Sequence, residues 1–121
     1  FNGVGPATPR PMEQLLYGIR AATSAETTFT WVNYDFLREI GVRPYSDMPV
    51  WMPPTEGREG FARFDLTPEV EAGLTFRPLA VTARDTPDYH FPRPLERQHP
   101  LRAGISIERE AEMLAAWHAR R

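Results

Sequence analysis

Phe1-Asn2-Gly3-Val4, Met12-Glu13-Gln14-Leu15-Leu16-Tyr17-Gly18-Ile19-Arg20-Ala21-Ala22 and Thr28-Phe29-Thr30-Trp31-Val32 read in succession as a strand, a helix and a second strand. In the middle piece Met12, Leu15, Leu16, Ile19 and Ala22 recur at the spacing of one helix face, with Glu13, Gln14 and Arg20 on the other. In the third piece Phe29 and Trp31 alternate with Thr28, Thr30 and Val32, the period of a strand with one apolar face. The expected fold is therefore α/β, α+β-like as a fragment: a small sheet around this strand-helix-strand unit, several short helices and a C-terminal helix. The first strand starts at residue 1 without an initiator Met, so the chain reads as cut from something longer.

Composition narrows the chemistry. The chain has 121 residues, 41% of them hydrophobic, enough for one domain with a moderate core. No apolar run approaches the length of a membrane span and no signal peptide opens the chain, so a soluble, cytoplasmic protein without a membrane partner is expected. A net charge of −2 with interspersed signs provides no basic stripe for nucleic acid. There is no Cys, which removes disulfides and thiolate chemistry. All 14 basic residues are Arg; without Lys there is no Schiff base, no Walker-type phosphate loop and no Tyr/Lys proton relay. Tyr34 is followed four residues on by Arg38, too basic to serve as such a relay, so Tyr34 reads as packing or surface.

Thirteen prolines punctuate the rest. Gly5 to Pro11 is a stiff loop whose three prolines remove three of the donors a phosphate would need. Asn33 caps a short helix over Tyr34 to Ile40 that Gly41 ends, with Phe36, Leu37 and Ile40 inward. Residues 42–54 are a proline-broken, aromatic-rich wrapping loop. Its Tyr45, Met48, Val50, Trp51 and Met52 either cover a core or line a cleft, and Asp47 either caps a turn or faces a ligand. Glu56 to Gly60 is a polar break carrying Arg58, and Phe61 to Asp65 resumes an alternating pattern. Thr67-Pro68-Glu69 starts a helix that Gly73-Leu74 closes in Schellman fashion. A further helix runs from Leu79 to Thr86, with Leu79, Thr82, Ala83 and Tyr89 inward and Pro87 set to kink or end it. Residues 92–121 form a proline-rich linker and a last helix capped by Ser106, with Ala111, Leu114, Ala115 and Trp117 as its apolar set.

The pieces Phe1-Asn2-Gly3-Val4-Gly5-Pro6, Met12-Glu13-Gln14-Leu15-Leu16, Phe29-Thr30-Trp31-Val32, Asp65-Leu66-Thr67-Pro68-Glu69 and Ala72-Gly73-Leu74-Thr75-Phe76-Arg77-Pro78-Leu79 stand in an order that resembles the C-terminal part of NAD-dependent epimerase/dehydratase proteins, the extended short-chain dehydrogenase/reductases. Ser46-Asp47-Met48-Pro49-Val50-Trp51 and the tail from Glu108 to Arg120 look like a reductase-like subgroup. The resemblance implies that residues 1–91 are the substrate-binding domain of such an enzyme. The partner would be an N-terminal Rossmann domain of the same parent protein, and the ligand a small molecule. The family's glycine-rich fingerprint and Tyr-x-x-x-Lys pair lie outside this chain, so no catalytic residue and no cofactor contact is carried over; NAD or NADP belongs to the parent. Arg58-Glu59-Gly60-Phe61 keeps the Arg and Gly of the R-x-G-D sequence of sugar-nucleotide members, which implies an anion contact for Arg58. With Arg58, Trp51 and Asp47 complete the candidate substrate contacts.

Two other classes compete. One is a stand-alone interaction or self-association module without catalysis, a homodimer included, built on Trp51, Tyr45 and an apolar strand edge. The other is a metal-dependent hydrolase using His90, His99 and His118 with Asp85 or Asp88, but those spacings match no ligand motif. Glu108, Glu110 and Glu112 read as a solvated helix face.

Overall fold

A computed structural model describes residues 4–6, 8–55, 57–98 and 103–120. Among the described residues six helices follow one another: α1 Met12–Thr23, α2 Tyr34–Glu39, α3 Thr67–Glu71, α4 Leu79–His90, α5 Leu95–Gln98 and α6 Ile107–His118. The chain divides into two compact units, one of Phe1–Thr27 with Ala62–His99 and one of Thr28–Phe61 with Pro100–Arg121.

The expected sheet is not there. Among the described residues the β-type pairing is limited to one isolated bridge between Pro44 and Met48, and the protein is mainly helical. The expected first strand falls largely on residues outside the described ones. The second, residues 28–32, is irregular, with Phe29 and Val32 half-buried and Trp31 50% exposed. The buried positions are thus three apart, a spacing that no strand face has. Alternation of residue types reports only which side chains prefer shelter; an extended segment becomes a strand when a neighbour takes up its N–H and C=O groups in a ladder. Residues 61–65, whose alternation also suggested a strand, form a turn and coil with Phe61 and Phe64 about half exposed.

The helices form where local signals place them. Asn33 accepts from the Phe36 amide at 2.8 Å and Ser106 from the Arg109 amide at 3.2 Å, each satisfying an orphan donor at a helix start. Both predicted glycine stops are complete Schellman motifs. At Gly41, φ is +74°, Val42 N–H donates to the Leu37 carbonyl and Gly41 N–H to that of Arg38. At Gly73, φ is +97°, Leu74 N–H donates to the Glu69 carbonyl and Gly73 N–H to that of Val70. Helix α4 runs through Pro87 to His90, past its expected end at Thr86. A proline in a helix interior forfeits one hydrogen bond and strains one turn, a cost that the rest of the helix can carry.

In the first unit α1 packs on α4. Gly18 leaves room for α4, since a Cβ there would lie 2.8 Å from Leu79 Cδ2. Arg84 Nε donates to the Ala22 carbonyl near the C-terminus of α1 at 3.4 Å, and Arg77 pairs with Asp85 at 2.5 Å. Ala83 is buried, whereas Thr82 is exposed and Tyr89 72% exposed, so the inward face of α4 is narrower than expected. Gln98 of α5 is also buried, and its Nε2 donates to the Phe91 and Arg93 carbonyls, closing the 91–98 turn on itself.

In the second unit α2 supplies the core. Phe36, Leu37 and Val42 are buried, and Val32, Ile40, Met48, Trp51, Met113 and Trp117 pack around them. The face of α6 turned to this core is therefore Met113 and Trp117. Ala111 and Ala115, expected inward, are exposed, and Leu114 is half-buried. The described part of the chain has no helix long and apolar enough to cross a membrane.

Candidate functional site: the clamped loop of residues 43–61

Four prolines and no helix-period pattern leave residues 43–54 without regular structure, yet their backbone is tightly pinned. Tyr45 N–H donates to the Trp51 carbonyl at 2.9 Å, Trp51 N–H to that of Met48 at 3.3 Å and Asp47 N–H to that of Arg43 at 3.0 Å. Asp47 closes the first turn with its side chain. Its Oδ2 accepts from Arg43 N–H at 2.8 Å, and its Oδ1 accepts from the Arg43 guanidinium at 2.8 Å. The Arg43 hydrogen bonds, side chain and then backbone, hold the Asp47 carboxyl below the usual carboxylate range, and its charge together with that of Arg109 acts the same way. Asp47 raises the Arg43 guanidinium in return.

Among the described residues of this loop, two adopt left-handed backbone without being glycine: Tyr45 at φ +64° and Val50 at +68°. A β-branched side chain in that region is a real outlier, and such strain persists only where the surroundings enforce it. Neither side chain is buried by it. Tyr45 is 58% exposed and Val50 72%. The Tyr45 ring meets the Phe61 ring edge-on at 5.8 Å between centroids, and Phe61 is brought there by a turn in which its N–H donates to the Arg58 carbonyl at 2.9 Å. The result is a hydrogen-bonded loop that holds an aromatic pair out to solvent.

Arg58 sits on that turn, exposed. Of the described arginines of this unit, Arg38, Arg43, Arg109 and Arg120 each pair with a carboxylate, to Asp35, Asp47, Glu112 and Glu39 in turn; Arg58 does not. Trp51 is half-buried, packed against the Phe36 cluster and edge-on to Tyr34 at 5.9 Å. Asp47 has both oxygens engaged by Arg43. The three sequence-derived candidates thus differ: Arg58 is open to a ligand, Trp51 supports the loop from beneath, and Asp47 fixes its shape. The sequence had no means of singling out the Tyr45 and Phe61 pair, because their meeting depends on the positive φ at Tyr45.

His90 sits against Phe91, ring centroids 5.5 Å apart, and His118 ends α6. His99 lies outside the described residues. Among the described residues no three His, Asp or Glu side chains converge as a metal site would require. Comparison with protein-family models, with curated proteins and with solved structures finds no match to this chain.

Proposed function

We propose that this chain is the substrate-binding portion of an NAD(P)-dependent epimerase, dehydratase or reductase, and that it holds its ligand with the 43–61 loop. The observation that carries this reading is the combination of a pinned, strained backbone with an outward aromatic pair and an uncompensated guanidinium: Tyr45, Phe61 and Arg58. Preorganised aromatic surface binds a ring at low entropic cost, and a free guanidinium takes an anion. The ligand class is a small molecule with a ring or apolar face and an anionic group. On this reading the nicotinamide and the proton-transfer groups come from an N-terminal Rossmann region of the parent protein, which works in the cytoplasm. The present residues position the substrate for hydride transfer.

Titration with NADPH, followed by nicotinamide fluorescence, tests the division of labour. The chain by itself is expected to leave the fluorescence unchanged; tight binding contradicts the proposal.

A second reading, self-association, rests on a different observation: Tyr89 at the end of α4 and Phe91 and Leu95 in the turn that follows it are each at least 70% exposed. Sedimentation separates the two, since a strict monomer removes the second.

A further inference from the structure

Helix α6 reaches the 43–61 loop by more than apolar packing. Arg109 on its first turn donates through NH2 to the Ile40 carbonyl at 2.7 Å, at the point where α2 ends and the chain turns into the loop. The same guanidinium pairs with Glu112 at 3.3 Å and places its charge on Asp47, the residue that closes the loop. Just before α6, Gly104 N–H donates to the Ser46 carbonyl at 3.2 Å, inside the loop itself. Farther along, Trp117 meets Phe36 and Arg120 pairs with Glu39, on the last turn of α2. A six-residue helix such as α2 has too few internal hydrogen bonds to persist by itself, so its end, and the loop that leaves it, take their geometry from what docks there.

We infer that the first turn of α6 is a clasp that sets the loop: when that turn is seated, Arg109 and Gly104 hold residues 40–47 in the conformation that presents Tyr45, and when it lifts, with Met113 and Trp117 still on the core, this arm of the loop is released. The inference rests on the reading of the loop as the ligand-contacting surface and adds its control. Arg109 is here a positioning residue, touching the loop's entry and not the ligand. Because Arg109 and Gly104 grip only the outer arm of the loop, where Arg43, Tyr45 and Ser46 are exposed, through one charge-assisted hydrogen bond, one backbone hydrogen bond and a charge on Asp47, that arm can loosen while Met48, Trp51 and Pro53 stay anchored and the Phe36 core is kept.

Amide hydrogen exchange on the whole chain, resolved by residue, tests this. In Arg109→Ala the Tyr45 and Asp47 amides are expected to exchange about ten-fold faster, the effect of losing a charged hydrogen bond, while Leu37 and Val42 stay protected. Arg109→Lys, which keeps a charge and a donor, should restore most of the protection. Trp117→Ala, which loosens the helix from its other end, should speed exchange in α6 and in the loop together and leave α1 and α4 unchanged. Unchanged Tyr45 and Asp47 amides in Arg109→Ala overturn the inference. So does a uniform rise over α2, the loop and α6, because Arg109 would then be a general support of the unit. The readout needs no ligand, so it fails or succeeds separately from the binding proposal.

Discussion

The ring of Phe36 lies 5.0 Å from the ring of Trp117, centroid to centroid, tilted by 56°, and this contact joins the short helix α2 to the C-terminal helix α6. Phe36 is 2% exposed and the Arg120 guanidinium stands over its ring at 4.7 Å from the centroid. Truncating Phe36 to Ala should cost about 3–5 kcal/mol. A double-mutant cycle of Phe36→Leu with Trp117→Leu should return a coupling of about 0.5–1.5 kcal/mol, the usual range for an aromatic pair. Urea unfolding followed by tryptophan fluorescence measures both; additive effects of the two leucines would show that the rings do not act together.

Val50 is expected to be a site of stored strain. Its φ of +68° suits glycine, and its side chain, 72% exposed, contributes little packing. Val50→Gly should therefore stabilise the protein by roughly 0.5–1 kcal/mol, the relief of the left-handed conformation less the greater chain entropy of glycine. The midpoint of thermal unfolding reads this directly, and a loss of stability would show that the valine side chain makes contacts that hold the turn.

Pro87 denies the carbonyl of Ala83 its partner four residues on, within a helix that otherwise continues to His90. Pro87→Ala should restore that bond and raise stability by about 1–3 kcal/mol. A drop in stability on this substitution, again by thermal unfolding, would mean that the half-buried proline ring packs better than the helix bond it displaces.

Asp47 carries a pH dependence of known sign. Its folded-state carboxyl is held below the ordinary value of about 3.9, chiefly by the hydrogen bonds from Arg43. Between the folded and the ordinary value the unfolded chain binds more protons, so stability rises with pH there. The contribution is complete above about pH 4 and is lost as the pH falls through the folded value. Asp65, through Thr67, and Glu108, through its own amide and Ser106, act in the same direction. Thermal unfolding between pH 2 and 6 should show Asp47→Asn less stable than the parent at pH 6, with the gap closing on acidification. A constant gap would assign the effect to packing.

Helix ends were the most legible part of this sequence. Asn33, Ser106, Gly41 and Gly73 act through their own few atoms on groups one turn away, so their roles follow from residue type and spacing. The sheet was misread because alternation in Thr28 to Val32 and in Phe61 to Asp65 describes side chains, whereas a ladder depends on a distant neighbour that no local pattern reveals. Helix α5, four residues directly after Pro92 and Pro94, is too short to show a period in the sequence, and what stabilises the turn before it is the buried Gln98 amide reaching back to the Phe91 and Arg93 carbonyls. The face of α6 was misjudged for a related reason. Arg109 and Arg120 flank Met113 and Trp117 because their partners, the Ile40 carbonyl and the Glu39 carboxylate, lie at the end of α2, a tertiary relationship that the helix's own spacing does not show. Within the candidate site, the Arg58 and Trp51 segment was legible as aromatic and loop-borne, but the left-handed Tyr45 that aims the aromatic pair was not.

Chemical-shift mapping with phenyl phosphate, a ring joined to an anion, tests the central claim most directly. The account predicts saturable shifts confined to the loop, at Tyr45, Arg58 and Phe61, that weaken in Arg58→Ala and in Tyr45→Ala while α1 and α4 remain silent. Shifts that fall outside residues 43–61, or that persist undiminished in both variants, would contradict it.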